Sequence, residues 1–193
     1  MKLKIILASG SPRRREILDQ VGITYEVKPS NKEEIITSTN PAQVVKELSL
    51  MKATDILDGE TGDCVIIGAD TVVSSDDKIL GKPKNEDDAI QMIQNLCGRA
   101  HSVFTGVAII KRENGKEEIQ NFYVETKVNV VKMTAEEIKA YVDTKEPMDK
   151  AGAYAVQGKF APYIEGLEGD YYNVVGFPIS AICKVLKEMN IAY

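Results

Sequence analysis

The sequence LKIILASGSPRRR, residues 3–15, joins a short apolar run to a turn and a helix start. The run from Leu3 to Ala8 has the length and hydrophobicity of a buried strand. Ser11 can cap the helix that follows, Pro12 suits its first position, and Gly22 predicts its end. A strand that leads through a glycine-containing turn into a helix is typical of an α/β protein.

Three consecutive arginines, Arg13, Arg14 and Arg15, fall in the first turn of this predicted helix. The N-terminal end of a helix carries about half a positive charge, so each arginine there is unfavourable by roughly 0.3–1 kcal/mol unless an anion offsets it. Free backbone N–H groups at a helix start, together with guanidinium groups, bind phosphate well. We therefore predict a phosphate-binding site, with solvated arginines on an exposed turn as the alternative.

Length and composition limit the classes of protein to consider. The 193 residues predict one domain, residues 1–193, and the net charge of −5 argues against binding to a nucleic-acid polymer. Cys64, Cys97 and Cys183 form no C-x-x-C pair, so we expect neither a disulfide framework nor a zinc site. We also expect no secretory signal and no membrane span, and hence a cytoplasmic protein.

Apolar patterning predicts a mixed sheet with helices around it. A continuous apolar strand from Cys64 to Ala69 is expected at the centre of the sheet, delivering Asp70 and Thr71 at its C-terminal end, where ligands gather in α/β sheets. Further predicted elements are helices beginning near Asn40, Asn85, Thr134 and Pro178, strands at 103–110 and 119–133, and hairpin turns at 74–78 and Asn114-Gly115. Gln43 is expected to complete a capping box at the first of these helices.

Asp70 is the residue that these patterns single out for chemistry. A carboxylate at the end of a buried strand is strongly affected by desolvation and neighbouring charge, which suits a general base or a metal ligand. A carboxylate that caps the following turn is the alternative. Arg13, Lys82 and Lys150 lie in turns that one cleft could collect. Hydrolysis of a phosphoanhydride needs such cations beside carboxylates.

Two further features bear on a metal site. Glu33 and Glu34 lie in an unpatterned loop, where one of them can supply a second oxygen ligand to Mg²⁺, or both can be solvated. His101 is the only histidine, which excludes a multi-histidine metal site and argues against a hydrolytic triad. We expect a structural role for His101.

The chain resembles the Maf family of nucleoside triphosphate pyrophosphatases along nearly its whole length. The motifs that carry the resemblance follow the family's order: SGSPRR at 9–14, Glu33, Lys52-Ala53, GADT at 68–71, GKP at 81–83, CGRAHSVFTGV at 97–107, EPMDKAGAY at 146–154, VQG at 156–158 and NVVGFP at 173–178. The chain departs from the family pattern at Cys97, where serine is usual, before the lysine at 49–52, and in the turn at 159–162. None of these departures removes a charged residue from the family motifs.

The resemblance implies an α/β fold with a mixed, twisted sheet, flanking helices and a deep cleft, as in Maf and ITPase-like proteins. It implies metal-dependent cleavage between the α and β phosphates of a nucleoside triphosphate, which gives a monophosphate and pyrophosphate. Asp70 would be the catalytic base, and Glu33, Lys52 and Lys82 would line the same cleft. Our hypothesis is that Asp70 and Glu33 hold Mg²⁺ or Mn²⁺. The substrate-binding residues would be Ser9, Arg13, Arg14, Lys52, Thr71, Lys82, Asp149, Lys150 and Gln157.

The substrate class also follows from the resemblance. Family members that act on dTTP and UTP carry the residues found here as Arg13, Thr71 and Gln157, whereas the 7-methyl-GTP subgroup has S-P-W-R in the first motif. The chain therefore resembles the dTTP/UTP type, with modified pyrimidine nucleotides as further candidates. A nucleotide-binding regulator of cell division without significant turnover remains the alternative. The family includes homodimers, which leaves a homodimer open.

Overall fold

The computed structural model describes residues 3–76 and 78–193, and it has a seven-stranded mixed sheet flanked by helices. The strands are β1 (Lys4–Leu7), β2 (Glu26–Val27), β3 (Cys64–Ser75), β4 (Lys78–Leu80), β5 (Ala100–Glu113), β6 (Lys116–Val130) and β7 (Ile164–Glu168). The helices are α1 (Pro12–Gln20), α2 (Pro41–Asp58), α3 (Glu86–Leu96), α4 (Ala135–Asp143), α5 (Tyr171–Val175) and α6 (Ile179–Glu188). Short 3-10 turns lie at Glu146–Asp149, Ala151–Ala153 and Ala161–Tyr163.

The central strand β3 has a gap in its pairing along one edge. The sheet order is β2-β1-β3-β5-β6-β7, and β5 covers one edge of β3 from Cys64 to Ser74. On the opposite edge, β1 pairs in parallel with residues 64–67, and β4 pairs antiparallel with residues 73–75. Within the described residues, 68–72 have no strand partner on that edge. The strand does not end at Ala69 as predicted but continues to Ser75. Asp70 and Thr71 therefore lie within β3, in this gap, next to the point where β1 ends and α1 begins.

Three sets of helices cover the sheet. On one face, α1 and α6 pack over β1, β3 and β5 through residues such as Leu18, Ile67 and Leu186. Farther along the same face, α3 and α4 form a second cluster that contains Val73 and Val103. Side chains alternate between the two faces of a strand, and those on the opposite face pack against α2. A pocket opens on the first face, between its two clusters.

Two glycines allow α2 to lie unusually close to the sheet. A Cβ atom at Gly68 would overlap the carbonyl oxygen of Ser49, and one at Gly106 would overlap that of Val45. The backbone of α2 therefore packs directly on β3 and β5 where only hydrogen atoms project from the strands. This approach positions Lys52, on α2, over Asp70.

The predicted starts of α2, α3 and α4 are confirmed, because Asn40, Asn85 and Thr134 each accept a hydrogen bond from the backbone in the first turn. Ser11 does not cap α1 with its side chain, and that prediction is wrong. Its backbone N–H instead donates to the hydroxyl of Ser9, 3.3 Å away. The turn thus folds back on the end of β1.

Other local predictions have mixed outcomes. The Asn114-Gly115 hairpin is confirmed between β5 and β6. Gln43 does not complete a capping box, because its side chain donates to Glu47 one turn later. β3 and β4 form the predicted hairpin, although Asp77 of its turn lies outside the described residues. The sequence patterns did not predict β2, β7 or α5, which have 2, 5 and 5 residues.

None of the helices in residues 3–76 and 78–193 combines the length and hydropathy needed to cross a bilayer. The three cysteines are free thiols, with Cys64 buried in the core.

Candidate active site

Arg14 fills the gap along the edge of β3. Its Nη1 donates to the carbonyl oxygen of Ala69 and to the hydroxyl of Ser9, both at 2.8 Å, and its Nε donates to the carbonyl oxygen of Gly176 at 3.0 Å. A third nitrogen, Nη2, is 3.4 Å from Oγ1 of Thr71. The guanidinium therefore joins the end of β1, the open edge of β3 and the turn after α5.

The three arginines have different environments. Arg14 is held by backbone carbonyls and hydroxyls, so oxygens of the protein itself offset its charge at the helix start. Burial lowers the pKa of Arg14, and the nearby Asp70 carboxylate opposes that shift. Arg13 lines the pocket beside it. Arg15 is exposed on the outer side of α1.

A carboxylate cluster forms around Lys52 on the α2 side of the sheet. The ammonium group of Lys52 is 2.6 Å from Oδ1 of Asp70 and 2.7 Å from Oε1 of Glu34. The loop between β2 and α2 therefore approaches the middle of β3 through Glu34, which shares Lys52 with Asp70. Glu33, the neighbouring residue in that loop, has an exposed side chain.

Desolvation dominates the electrostatics of Asp70. Burial raises the pKa of its carboxyl group, while the positive charges of Lys52 and Arg14 lower it. A carboxylate that is largely withdrawn from water but held by two cations retains basicity, which a general base requires.

A pocket of about 270 Å³ lies beside Arg14, on the face of the sheet opposite to α2. It is lined by the predicted residues Arg13, Arg14, Thr71, Lys82, Asp149, Lys150 and Gln157, together with apolar groups that include Val73, Val103 and Tyr154. Lys150 forms an ion pair with the adjacent Asp149. The pocket thus combines four cationic side chains with an apolar wall, a composition suited to a phosphorylated ligand that also carries a flat ring.

The predicted residues therefore fall into two adjoining groups. Seven line the pocket, whereas Lys52 and Asp70 lie in the cluster on the other face, and Ser9 is bonded to Arg14 between them. Asp70 and Thr71 are consecutive on β3, so their side chains point to opposite faces. Arg14, bonded to both strands in the gap, connects the two groups. Among the described residues, no set of three or more His, Cys, Asp or Glu side chains is grouped to hold a metal by itself.

Behind Thr71 lies a buried polar network that the sequence patterns did not identify. Oγ1 of Thr71 is 2.9 Å from Oγ1 of Thr105, which donates to the carbonyl oxygen of Asn173 at 2.9 Å. The amide of Asn173 in turn donates to Val103 and to Thr126. These threonine and asparagine side chains are uncharged, and no hydrophobic periodicity marks them. Only the quoted motifs that contain Thr105 and Asn173 could have indicated them.

His101 takes no part in either group. It is 4% exposed, and its Nε2 is 2.6 Å from the hydroxyl of Tyr154 in the core. Burial lowers the pKa of His101 from 6.5 to about 4. The expected structural role fits this position.

The chain is similar to known proteins over nearly its full length. A family model described as Maf-like protein matches residues 4–189. A dTTP/UTP pyrophosphatase of Lachnoclostridium phytofermentans is 52% identical over 97% of this chain and 96% of its own length. One from Bacillus thuringiensis subsp. konkukian is 47% identical over the same shares.

Among solved structures, the Staphylococcus aureus Ham1 protein is a more distant match, with a TM-score of 0.49 and 12% identical residues over 96% of this chain and 99% of that one. The family match and the two curated relatives each extend across both groups of site residues. The chain belongs to the Maf family.

Proposed function

We propose that this protein hydrolyses dTTP and UTP to the nucleoside monophosphate and pyrophosphate, with the help of a divalent cation. The observation that carries the proposal is the position of Asp70. Its carboxylate is partly buried and lies 2.6 Å from the ammonium group of Lys52, and the next residue, Thr71, lines the pocket that contains the cationic side chains. The relatives at 47–52% identity that are named dTTP/UTP pyrophosphatases support the substrate class.

The roles of the cationic residues follow from charge. A triphosphate accumulates negative charge on its oxygens as the α–β bond breaks, and preorganised cations at those oxygens lower the barrier. Arg13, Lys82 and Lys150 would contact the phosphates from the pocket, and Lys52 would do so from the α2 side. The guanidinium N–H groups of Arg14 already donate hydrogen bonds to other parts of the protein. We therefore assign Arg14 to shaping the pocket and holding the turn at Ser9.

Asp70 would act as the general base that orients and deprotonates the attacking water. Its proton affinity is raised by burial, and Lys52 holds one carboxylate oxygen while the other remains available. General-base assistance of this kind contributes about 10²- to 10⁴-fold to turnover.

The donor set around Lys52 fits a divalent cation. Two carboxylates, from Asp70 and Glu34, converge on one positive charge, and Glu33 is adjacent in the same loop. Mg²⁺ is typically held by one or two carboxylates together with substrate phosphates, so a larger cluster is not needed. Asp70 would hold Mg²⁺ or Mn²⁺ together with a carboxylate of this loop, either Glu33, as the sequence predicts, or Glu34, which lies beside Lys52. The cation would neutralise phosphate charge and polarise the bond to be broken.

The direct test is a screen of nucleoside triphosphates with the purified protein. Each nucleotide is incubated with Mg²⁺ or Mn²⁺, with and without a chelator, and pyrophosphate and nucleoside monophosphate are measured by chromatography. We expect equal amounts of both products from dTTP and UTP, and none when the chelator is in excess.

The outcomes separate the alternatives. Release of inorganic phosphate and a diphosphate instead of pyrophosphate would contradict cleavage at the α–β bond. Tight binding of dTTP without any product would favour the nucleotide-binding regulator. Binding that requires a long polynucleotide and is insensitive to free nucleotide would favour a nucleic-acid-binding protein.

A further inference from the structure

The hydroxyl protons in the buried network behind the pocket can be assigned individually. Oγ1 of Thr105 is 2.9 Å from the backbone carbonyl oxygen of Asn173. A carbonyl oxygen can only accept, so Thr105 donates its single hydroxyl proton in this bond. The other contact of Thr105 is Oγ1 of Thr71, at 2.9 Å. Distance alone allows either hydroxyl of that pair to donate, but both contacts of Thr105 are hydrogen bonds at the same time only when Thr71 is the donor.

Burial supports this assignment. Thr105 and Asn173 are 0% exposed, so no solvent molecule at their surface competes for these bonds. The Asn173 carbonyl also accepts a hydrogen bond, at 3.0 Å, from the backbone N–H of Gly176, the residue that follows α5. If the Thr71 proton pointed elsewhere, one of the two 2.9 Å contacts of Thr105 would no longer be a hydrogen bond, which costs free energy in a fully buried place.

With its proton committed, the Thr71 hydroxyl offers only lone pairs to the pocket. One lone pair faces Nη2 of Arg14 at a long distance of 3.4 Å. The space beside the oxygen is kept open by Gly176, because a Cβ atom there would lie 3.2 Å from Oγ1 of Thr71. Thr71 and Gly176 both line the pocket. The wall of the pocket thus carries a fixed hydrogen-bond acceptor.

We infer that Thr105 is a specificity-determining positioning residue, which holds Thr71 as an acceptor and so favours pyrimidines with an N3–H donor over cytosine. Uracil and thymine carry a proton on N3, whereas N3 of cytosine is an acceptor and would face the Thr71 lone pairs. This inference rests on the proposed function, since it takes the base of the nucleotide to lie against Thr71.

The test compares UTP with CTP in four forms of the protein: the wild type, Thr105→Val, Thr105→Ser and Thr126→Val. Valine has the shape of threonine without the hydroxyl, so it frees the Thr71 proton to turn toward the pocket. We expect the ratio of kcat/KM for UTP over CTP to fall by at least about tenfold in Thr105→Val, mainly through KM. Serine keeps the hydroxyl and should restore the ratio.

Thr126→Val is the matched control for a general loss of buried hydrogen bonds. Thr126 bonds to Asn173 and Asp170 in the same network but makes no bond to Thr71. We expect Thr126→Val to lose stability while its UTP/CTP ratio stays at the wild-type value. A ratio that falls equally in both valine variants would overturn the inference.

Two further measurements cover the remaining outcomes. The wild type should discriminate against 3-methyl-UTP, which lacks the N3 proton, by at least about tenfold relative to UTP. Equal kcat/KM for the two would overturn the inference even if Thr105→Val does not fold. Affinities for non-hydrolysable UTP and CTP analogues provide the same ratio without turnover.

The two proposals can therefore fail separately. A wild type that binds UTP more tightly than CTP, with the preference lost in Thr105→Val but with no turnover, would overturn the proposed function alone. Normal pyrophosphate release with an unchanged UTP/CTP ratio in Thr105→Val would overturn the inference alone.

Discussion

Nη1 of Arg14 donates a hydrogen bond to the carbonyl oxygen of Ala69, 2.8 Å away, where the edge of β3 no longer has β1 as a neighbour. The side chain thus replaces a strand in the pairing of the sheet. Arginine at the start of a helix is electrostatically unfavourable, and here the carbonyl oxygens of Ala69 and Gly176 compensate for it. The cation is part of the fold as well as of the pocket.

Arg14→Gln should therefore reduce the free energy of unfolding. The variant leaves two backbone carbonyls and Ser9 without their donor in a partly buried place, and we expect a loss of about 2–4 kcal/mol in urea denaturation. Arg15→Gln is the matched control, because Arg15 is exposed, and should change stability by less than about 0.5 kcal/mol. Equal stability of the two variants would contradict a structural role for Arg14.

Gly68→Ala should disturb both stability and the Lys52–Asp70 contact. The added methyl group would overlap the backbone of α2 at Ser49, so the helix must shift, and we expect a loss of more than about 2 kcal/mol. Gly166→Ala is the control, since a Cβ atom there meets nothing within 4 Å. Thermal unfolding of both variants gives the comparison, and a fully stable Gly68→Ala would show that α2 is not closely packed.

The stability of the protein should fall on acidification because of His101. The unfolded imidazole takes up a proton near pH 6.5, whereas the buried one stays neutral down to about pH 4. Between these values the unfolded state binds more protons, so stability is present above pH 6.5 and is lost as the pH falls. We expect the loss to reach about 3 kcal/mol at pH 4.

His101→Gln provides the reference, since His101 is the only histidine. The difference in the free energy of unfolding between wild type and variant should shrink as the pH is lowered from 7.5 to 4.5. A constant difference over that range would show that the buried imidazole does not resist protonation.

The carboxylates of the loop before α2 can be distinguished by their effect on metal dependence. We expect Glu33→Gln to raise the Mg²⁺ concentration for half-maximal turnover by about tenfold or more, because it removes an oxygen of the proposed metal ligand. Glu34→Gln removes a partner of Lys52 and should have a smaller effect. The reverse order would identify Glu34 as the ligand.

The sequence predicted those parts of the fold that local chemistry determines. Asn85 and Thr134 cap their helices, and Asn114-Gly115 forms its hairpin, because each signal acts within a few residues. The two-residue strand β2 and the five-residue helix α5 form through contacts with distant parts of the chain. Ser11 had the right residue type for a cap, but its backbone N–H turns back to Ser9.

The candidate site could be predicted where charge marks it. Asp70 stands out because it is a charged residue that directly follows a continuous apolar run, and Lys82 and Lys150 stand out because they lie in predicted turns. Thr105 and Asn173 are buried and uncharged, and their importance depends on partners more than 20 residues away, so periodicity does not reveal them. The hydrogen bond between Arg14 and Gly176 joins residues that are 162 positions apart, so local sequence patterns do not predict it either.

The most direct test of the account is the turnover of dTTP by Asp70→Asn with Mg²⁺, measured as pyrophosphate release, beside its affinity for dTTP. Asparagine keeps the shape of the side chain but cannot accept the proton of water. Asp76→Asn, an exposed change in the turn after β3, serves as the control and should keep wild-type turnover. We predict that Asp70→Asn binds dTTP with an affinity within a few fold of the wild type and turns over at least about 10²-fold more slowly. Near-normal pyrophosphate release by Asp70→Asn would contradict the assignment of Asp70 as the catalytic base.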